Sequence, residues 1–162
     1  MPASAADRAP APLPVADLPA FLLGRWRLER TIEDRRRDER GEVSGTAEFV
    51  RDGDAIAWRE RATVRLGGYA GDATRTLAIV PDGDAWLVRF DDGRPFHPLD
   101  LRSGACVVDH PCRADRYGGR LWVPDGDALA VDWRVTGPEK DQRIRSRYRR
   151  QPPVAPTDPA AR

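Results

Sequence analysis

Val50-Arg-Asp-Gly-Asp-Ala55, Val80-Pro-Asp-Gly-Asp-Ala85 and Val123-Pro-Asp-Gly-Asp-Ala128 are three copies of one turn. Asp-Gly between alternating segments marks a tight β-hairpin, because glycine accepts the positive φ that a two-residue turn needs. A calcium loop of the EF-hand kind would need further oxygen ligands and a distal Glu, which none of the three copies has. Working outward, breaks at 35–41, 67–71, 91–95, 103–104, 113–114 and 137–140 divide the rest into about ten strands of ordinary length. Ten short consecutive strands with tight turns predict an all-β fold, an up-and-down antiparallel β-barrel. Closure removes the exposed edges, and more than eight strands leave room inside. One short helix precedes the strands, with Asp17 as N-cap, Leu18, Phe21 and Leu22 on one face, and Gly24 as its stop.

A chain of 162 residues is long enough for one sizeable core and short for two. The Pro/Ala-rich residues 1–15 and 151–162 predict disordered tails around a barrel domain at 16–150. Charged residues make up 33% of the chain, yet the net charge is +1, so no overall field draws it to nucleic acid or an anionic membrane. Basic charge is almost all arginine, with Lys140 the one lysine. The first 17 residues lack the basic start and apolar run of a signal peptide, and no stretch reaches the roughly 20 apolar residues of a membrane span. Two cysteines, Cys106 and Cys112, are too few for a disulfide framework. These features together predict a cytoplasmic protein.

Side chains alternate across a strand, so the apolar parity of each segment marks its inner face. By that rule Trp26, Leu28, Arg30 and Ile32 point inward, and so do Val43, Gly45, Ala47 and Phe49, whose small central members predict open space. Ile56, Trp58, Glu60, Ala62 and Val64 follow, then Arg75 with Leu77 and Ile79, and His97 with Leu99 and Leu101. His110 shares parity with Val108 and Cys112, Asp115 and Tyr117 with Leu121, and Gln142 and Ser146 with Ile144 and Tyr148. Leu129, Val131, Trp133 and Val135 complete the wall. Buried charges without partners cost several kcal/mol, so this inward polar set must pair, hold water or meet a polar ligand.

Phe21-Leu-Leu-Gly24-Arg-Trp26, a short helix and then Gly-x-Trp entering the first strand, resembles the signature of the calycins, the lipocalin and fatty-acid-binding barrels. The resemblance implies that Trp26 closes the barrel bottom against an arginine of the last strand, Arg147 or Arg149. Further stretches are Gly45-Thr-Ala-Glu-Phe49, Phe96-His-Pro-Leu-Asp-Leu101, Asp109-His-Pro-Cys-Arg-Ala-Asp-Arg-Tyr117 and Trp133-Arg-Val-Thr-Gly-Pro-Glu-Lys-Asp141. Together these resemble an uncharacterised bacterial domain-of-unknown-function family, number sixty-three fourteen, over about residues 20–150. That likeness implies a lipocalin-like fold and transfers no activity. Gln142 stands where the family pattern suggests a tyrosine.

Four chemistries compete for the interior. The first is a cavity lined by Arg30, Glu60, Arg75, His97, His110, Asp115, Tyr117 and Trp133 that takes a small ligand with an anionic or carbonyl group, its body held by Trp58, Trp86, Phe90 and Trp133. The second is acid/base catalysis of an isomerase or hydratase kind by His97, His110, Asp115 and Tyr117. A third is haem on His97 or His110, as in nitrobindin-like barrels. The fourth is a metal on His110, Cys112 and either His97 or Asp115, whose spacing is not that of a structural zinc motif. The leading expectation is ligand binding without a resident cofactor or metal. The arginines at 143, 145, 147, 149 and 150 are expected to form an ion-paired outer face that takes no nucleic acid.

Overall fold

The structure, a computed structural model, describes residues 9–154. The elements are α1 (Leu18–Leu22) and ten strands: β1 (Gly24–Asp34), β2 (Glu39–Asp52), β3 (Ala55–Leu66), β4 (Tyr69–Asp82), β5 (Ala85–Phe90), β6 (Pro95–Leu99), β7 (Ala105–Cys112), β8 (Asp115–Asp125), β9 (Ala128–Thr136) and β10 (Asp141–Arg150). Each repeated Asp-Gly turn joins one such pair. Asp52 faces Ala55, Asp82 faces Ala85 and Asp125 faces Ala128, with Gly53 and Gly83 both at φ 63°.

All ten strands lie in one antiparallel sheet, in the order β6-β5-β4-β3-β2-β1-β10-β9-β8-β7. The β1–β10 ladder, from Trp26 opposite Arg150 to Asp34 opposite Gln142, brings the ends of the meander together and curls the sheet into a nearly closed barrel. Among the described residues no ladder joins β6 to β7, so one seam stays open in the backbone. Aromatic side chains fill it. Phe96 stacks on Phe90 at 4.4 Å and on Trp133 at 5.2 Å, and the His110 ring meets its edge at 5.2 Å.

The residues just before α1 also cross that seam. Leu13 N–H donates to Val123 O (2.8 Å) and Val15 N–H to Leu101 O (3.0 Å), tying β8 to the residues that follow β6. Val15 is buried in the core. The expected tail at 1–15 is therefore corrected over 13–15: open sheet edges offer partners to a segment that composition alone marks as loose. Residues 1–8 and 155–162 of the expected tails lie outside the described residues. At the other end Gln151 N–H bonds Arg25 O at 2.8 Å, so the folded part runs one residue past 150.

One end of the barrel is packed shut. Asp17 caps α1 by accepting from Ala20 N–H (3.0 Å), and α1 lays Leu18 and Leu22 over the barrel floor. Trp26, wholly buried, donates its indole N–H to Leu22 O (2.8 Å) and meets Phe21 and Phe49 edge-on. The arginine over Trp26 is Arg150, with its guanidinium carbon 4.4 Å from the ring centroid and Nη2 donating to Phe21 O. This corrects the expectation of Arg147 or Arg149. Both face outward by parity and pair with Asp132 and Asp125, at 2.8 and 3.2 Å. Arg145 likewise lies 3.6 Å from Glu33.

Gly45 corrects a second expectation. A Cβ there would lie 2.1 Å from Arg61 O and 2.6 Å from Ala62 Cα, so the β3 backbone occupies the space that the small β2 residues were expected to leave open. Among the described residues no helix is long and apolar enough to cross a membrane.

Candidate functional site

Moving along the inner face away from the packed floor, the side chains become progressively less covered. On β3 the inward residues run from Ile56, Trp58 and Glu60, all buried, to Ala62 and Val64, half-buried. On β4 they run from buried Ile79 and Leu77 through half-buried Arg75 to exposed Ala73. The barrel thus opens at the end carrying the 35–38, 67–68 and 137–140 turns. Beneath that opening lies a cavity of about 400 Å³, toward the small end of the roughly 300–1,000 Å³ usual for ligand sites.

A charged cluster forms its floor. Glu60 is only 4% exposed and sits between two arginines. Arg30 Nη2 donates to both Glu60 oxygens at 3.1 Å, and Arg75 Nη2 donates to Oε1 at 2.8 Å. Tyr148 O–H donates to the same Oε1 at 2.5 Å, while Arg30 Nε donates to Ser146 Oγ at 2.7 Å. The β1–β10 register, Arg30 opposite Ser146 and Leu28 opposite Tyr148, is what brings these groups together, and β3–β4 pairing sets Glu60 opposite Arg75. Burial by itself would raise the Glu60 carboxyl, but the charges of Arg75 and Arg30, with the Tyr148 hydrogen bond, outweigh it and hold the group below its ordinary value. Burial and then the Glu60 charge push the Tyr148 phenol up, so it stays protonated. Two guanidinium charges and one carboxylate leave the cluster at +1.

Two buried donors in the cavity wall have no partner among the described residues: Arg75 Nε and Trp58 Nε1. They are neighbours, since the Arg75 guanidinium carbon stands 5.4 Å from the Trp58 ring centroid. An unsatisfied buried N–H costs about 1–3 kcal/mol, while the Arg75 side chain, 40% exposed and bonded to Glu60 through Nη2, presents its guanidinium to an acceptor in the cavity. His97, 3% exposed, supplies the opposite polarity. Its Nδ1 lies 2.7 Å from Pro98 O, and a carbonyl can only accept, so Nδ1 carries the proton. Burial lowers the His97 pKa to about 4, against the Pro98 hydrogen bond, and the ring is neutral near pH 7 with its lone pair on Nε2.

Of the eight residues the sequence nominates, the cavity is lined by Arg30, Glu60, Arg75, His97, Tyr117 and Trp133. His110 and Asp115 do not line it. The His110 ring stands in the seam beside Phe90, Phe96 and Tyr117, and Asp115 turns to Lys140 at 2.9 Å. Parity placed both on the inner face, but the seam fill and a nearby cation take them out of the cavity. The four residues proposed for acid/base work are thus divided, two in the cavity and two outside it. Gln142, inward by parity, instead bonds Asp34 at 3.0 Å. The apolar walls include Trp58 and Trp133 as expected, with Phe96 and Leu77 in place of Trp86 and Phe90. Tyr148 is the polar member that parity reasoning counted as a wall residue. Its phenol needs a partner when buried, and that need was the available signal. For a metal or a haem iron the cavity offers His97 Nε2. Among the described residues no group of three or more His, Cys, Asp or Glu side chains gathers.

Residues 22–150 match the family model of a family of unknown function, DUF6314. The chain belongs to DUF6314. This DUF6314 barrel resembles two solved structures at low identity. One is an S-type phycobiliprotein lyase from Guillardia theta, with TM-score 0.60 and 11% identity, covering 83% of this chain and 91% of that one. The other is a protein of unknown function of the DUF3598 family from Nostoc punctiforme, with TM-score 0.61 and 18% identity, covering 90% of this chain. The DUF6314 chain spans 53% of that second protein's length. At such identities the likeness is one of fold. No curated protein sequence matches the chain.

Proposed function

We propose that the barrel binds a small molecule through an anionic or carbonyl group received beside Arg75. The observation that carries this is the half-exposed Arg75 guanidinium in the wall of a cavity whose charged cluster sums to +1. A carboxylate accepts from the guanidinium N–H groups and offsets the charge, while a polarised carbonyl oxygen accepts from them without changing it. Trp133, Phe96 and Leu77 supply apolar contact for the rest of the ligand. Arg75 suits the role of entry contact, being 40% exposed where Arg30 is 14%. We place the protein in the cytoplasm, with Cys106 and Cys112 as free thiols.

Thermal-shift measurements with small carboxylates, aldehydes and ketones test the proposal. A ligand at a hundred times its Kd stabilises the fold by about 2.7 kcal/mol, and Arg75→Met should abolish that gain. Absence of stabilisation by every member, or an equal gain in Arg75→Met, would refute it.

A further inference from the structure

Charge, hydrogen-bond polarity and wall chemistry together narrow the ligand class, on the premise that the binding proposal above holds. We infer that the ligand is a flat aromatic monoanion carrying its own O–H or N–H, with its acid group on the Arg75 guanidinium and its own donor on His97 Nε2.

Three independent features lead there. First, Arg30, Arg75 and Glu60 sum to +1, and the Tyr148 phenol and His97 imidazole beside them are neutral. One ligand charge balances the site. A dianion would overshoot in a low-dielectric interior, where an uncompensated charge is costly, and a neutral carbonyl would leave the excess in place. Second, the wall's unmet needs are unequal. The Arg75 guanidinium, 40% exposed and bonded to Glu60 through Nη2, offers donors, whereas the His97 ring makes one protein hydrogen bond among the described residues, through Nδ1, and keeps a lone pair on Nε2. A ligand made only of acceptors satisfies the first and leaves the second bare. Third, the walls are aromatic: Trp58, Phe96, His97, Tyr117, Trp133 and Tyr148 all line the cavity. Flat rings gain offset or edge contacts from such a lining that a flexible alkyl chain of equal area does not. The roughly 400 Å³ available fits one small ring system with its acid.

Calorimetric titration of the purified full chain with four probes decides the matter. Indole-3-acetate is a flat monoanion with an N–H, and naphthalene-1-acetate has nearly the same shape and charge without the N–H. Indole-3-acetamide is the neutral counterpart, and decanoate is a flexible monoanion. The expected order puts indole-3-acetate at least tenfold tighter than each of the other three. The gap to naphthalene-1-acetate should close in His97→Phe, and the gap to the amide should close in Arg75→Met. The four-probe order on the unaltered protein stands as a test even if His97→Phe fails to fold. Equal affinity for the two flat acids overturns the donor assignment, and tightest binding by decanoate overturns the aromatic class. Both results leave anion binding intact. Amide binding as tight as the acid overturns the charge assignment. No binding by any probe at millimolar concentration, with the unaltered protein inert in thermal shift toward every carboxylate and carbonyl compound, overturns the binding proposal itself.

Discussion

Replacing Glu60 with glutamine removes the one negative charge between two arginines while keeping the side chain's shape and an acceptor oxygen for Tyr148. Arg30 bears most of the consequence. Its side chain is 14% exposed, so little water reaches it, whereas Arg75 is 40% exposed and its share must be discounted for solvent screening. Removing one partner of a buried pair costs about 3–5 kcal/mol, and with Arg75 discounted the expectation is the lower figure, about 3 kcal/mol. Spread over the folded residues this lowers Tm by about 10 °C. Urea unfolding followed by tryptophan fluorescence and far-ultraviolet circular dichroism measures the loss. The diagnostic step is the double variant Glu60→Gln with Arg30→Met. It removes the stranded cation, leaves Tyr148 an acceptor, and should recover at least about 1 kcal/mol relative to the single change. A single-variant loss under about 1 kcal/mol, or a double variant less stable than the single, would refute the view that Glu60 holds the buried Arg30 charge in check.

Other consequences concern pH, the barrel floor and β2. His97 titrates at about 4 in the fold against 6.5 unfolded. The unfolded chain therefore takes up a proton first as pH falls, and stability present above 6.5 is lost between 6.5 and 4; denaturant midpoints should show about 2 kcal/mol less at pH 5 than at pH 7.5, and His97→Phe should flatten that slope. Arg150→Ala removes the contact over Trp26 and the bond to Phe21 O. The cost should be about 1–2 kcal/mol by chemical denaturation, whereas Arg147→Ala on the outer face should cost under about 0.5 kcal/mol. In Gly45→Ala the new methyl meets the Arg61 carbonyl on β3, so the two strands must part locally. A loss of about 2–3 kcal/mol is expected, with faster amide exchange along the β2–β3 ladder as the confirming signal.

Much of the barrel was legible because strand structure writes itself locally. Period-two alternation from Trp26 to Ile32 and Ile56 to Val64, together with Asp-Gly turns, needs only neighbours along the chain, and it assigned ten strands and the inner face of nearly every one. Arg30, Glu60, Arg75 and His97 were nominated by that same parity. Local reasoning could not say which inward groups meet, because that depends on ladders between residues as far apart as Arg30 and Ser146.

The sequence by itself determined the antiparallel meander, the α1 cap and a polar set on the inner face. Only the tertiary structure decided that Arg150 rather than Arg147 or Arg149 covers Trp26, that Tyr148 joins Glu60, and that His110 and Asp115 leave the cavity for the seam and for Lys140. Parity fixes the face on which a side chain starts. Where its end arrives is set by strand register, by the curl of the sheet and by the partner that best answers its charge, none of which is a property of the chain read one neighbour at a time.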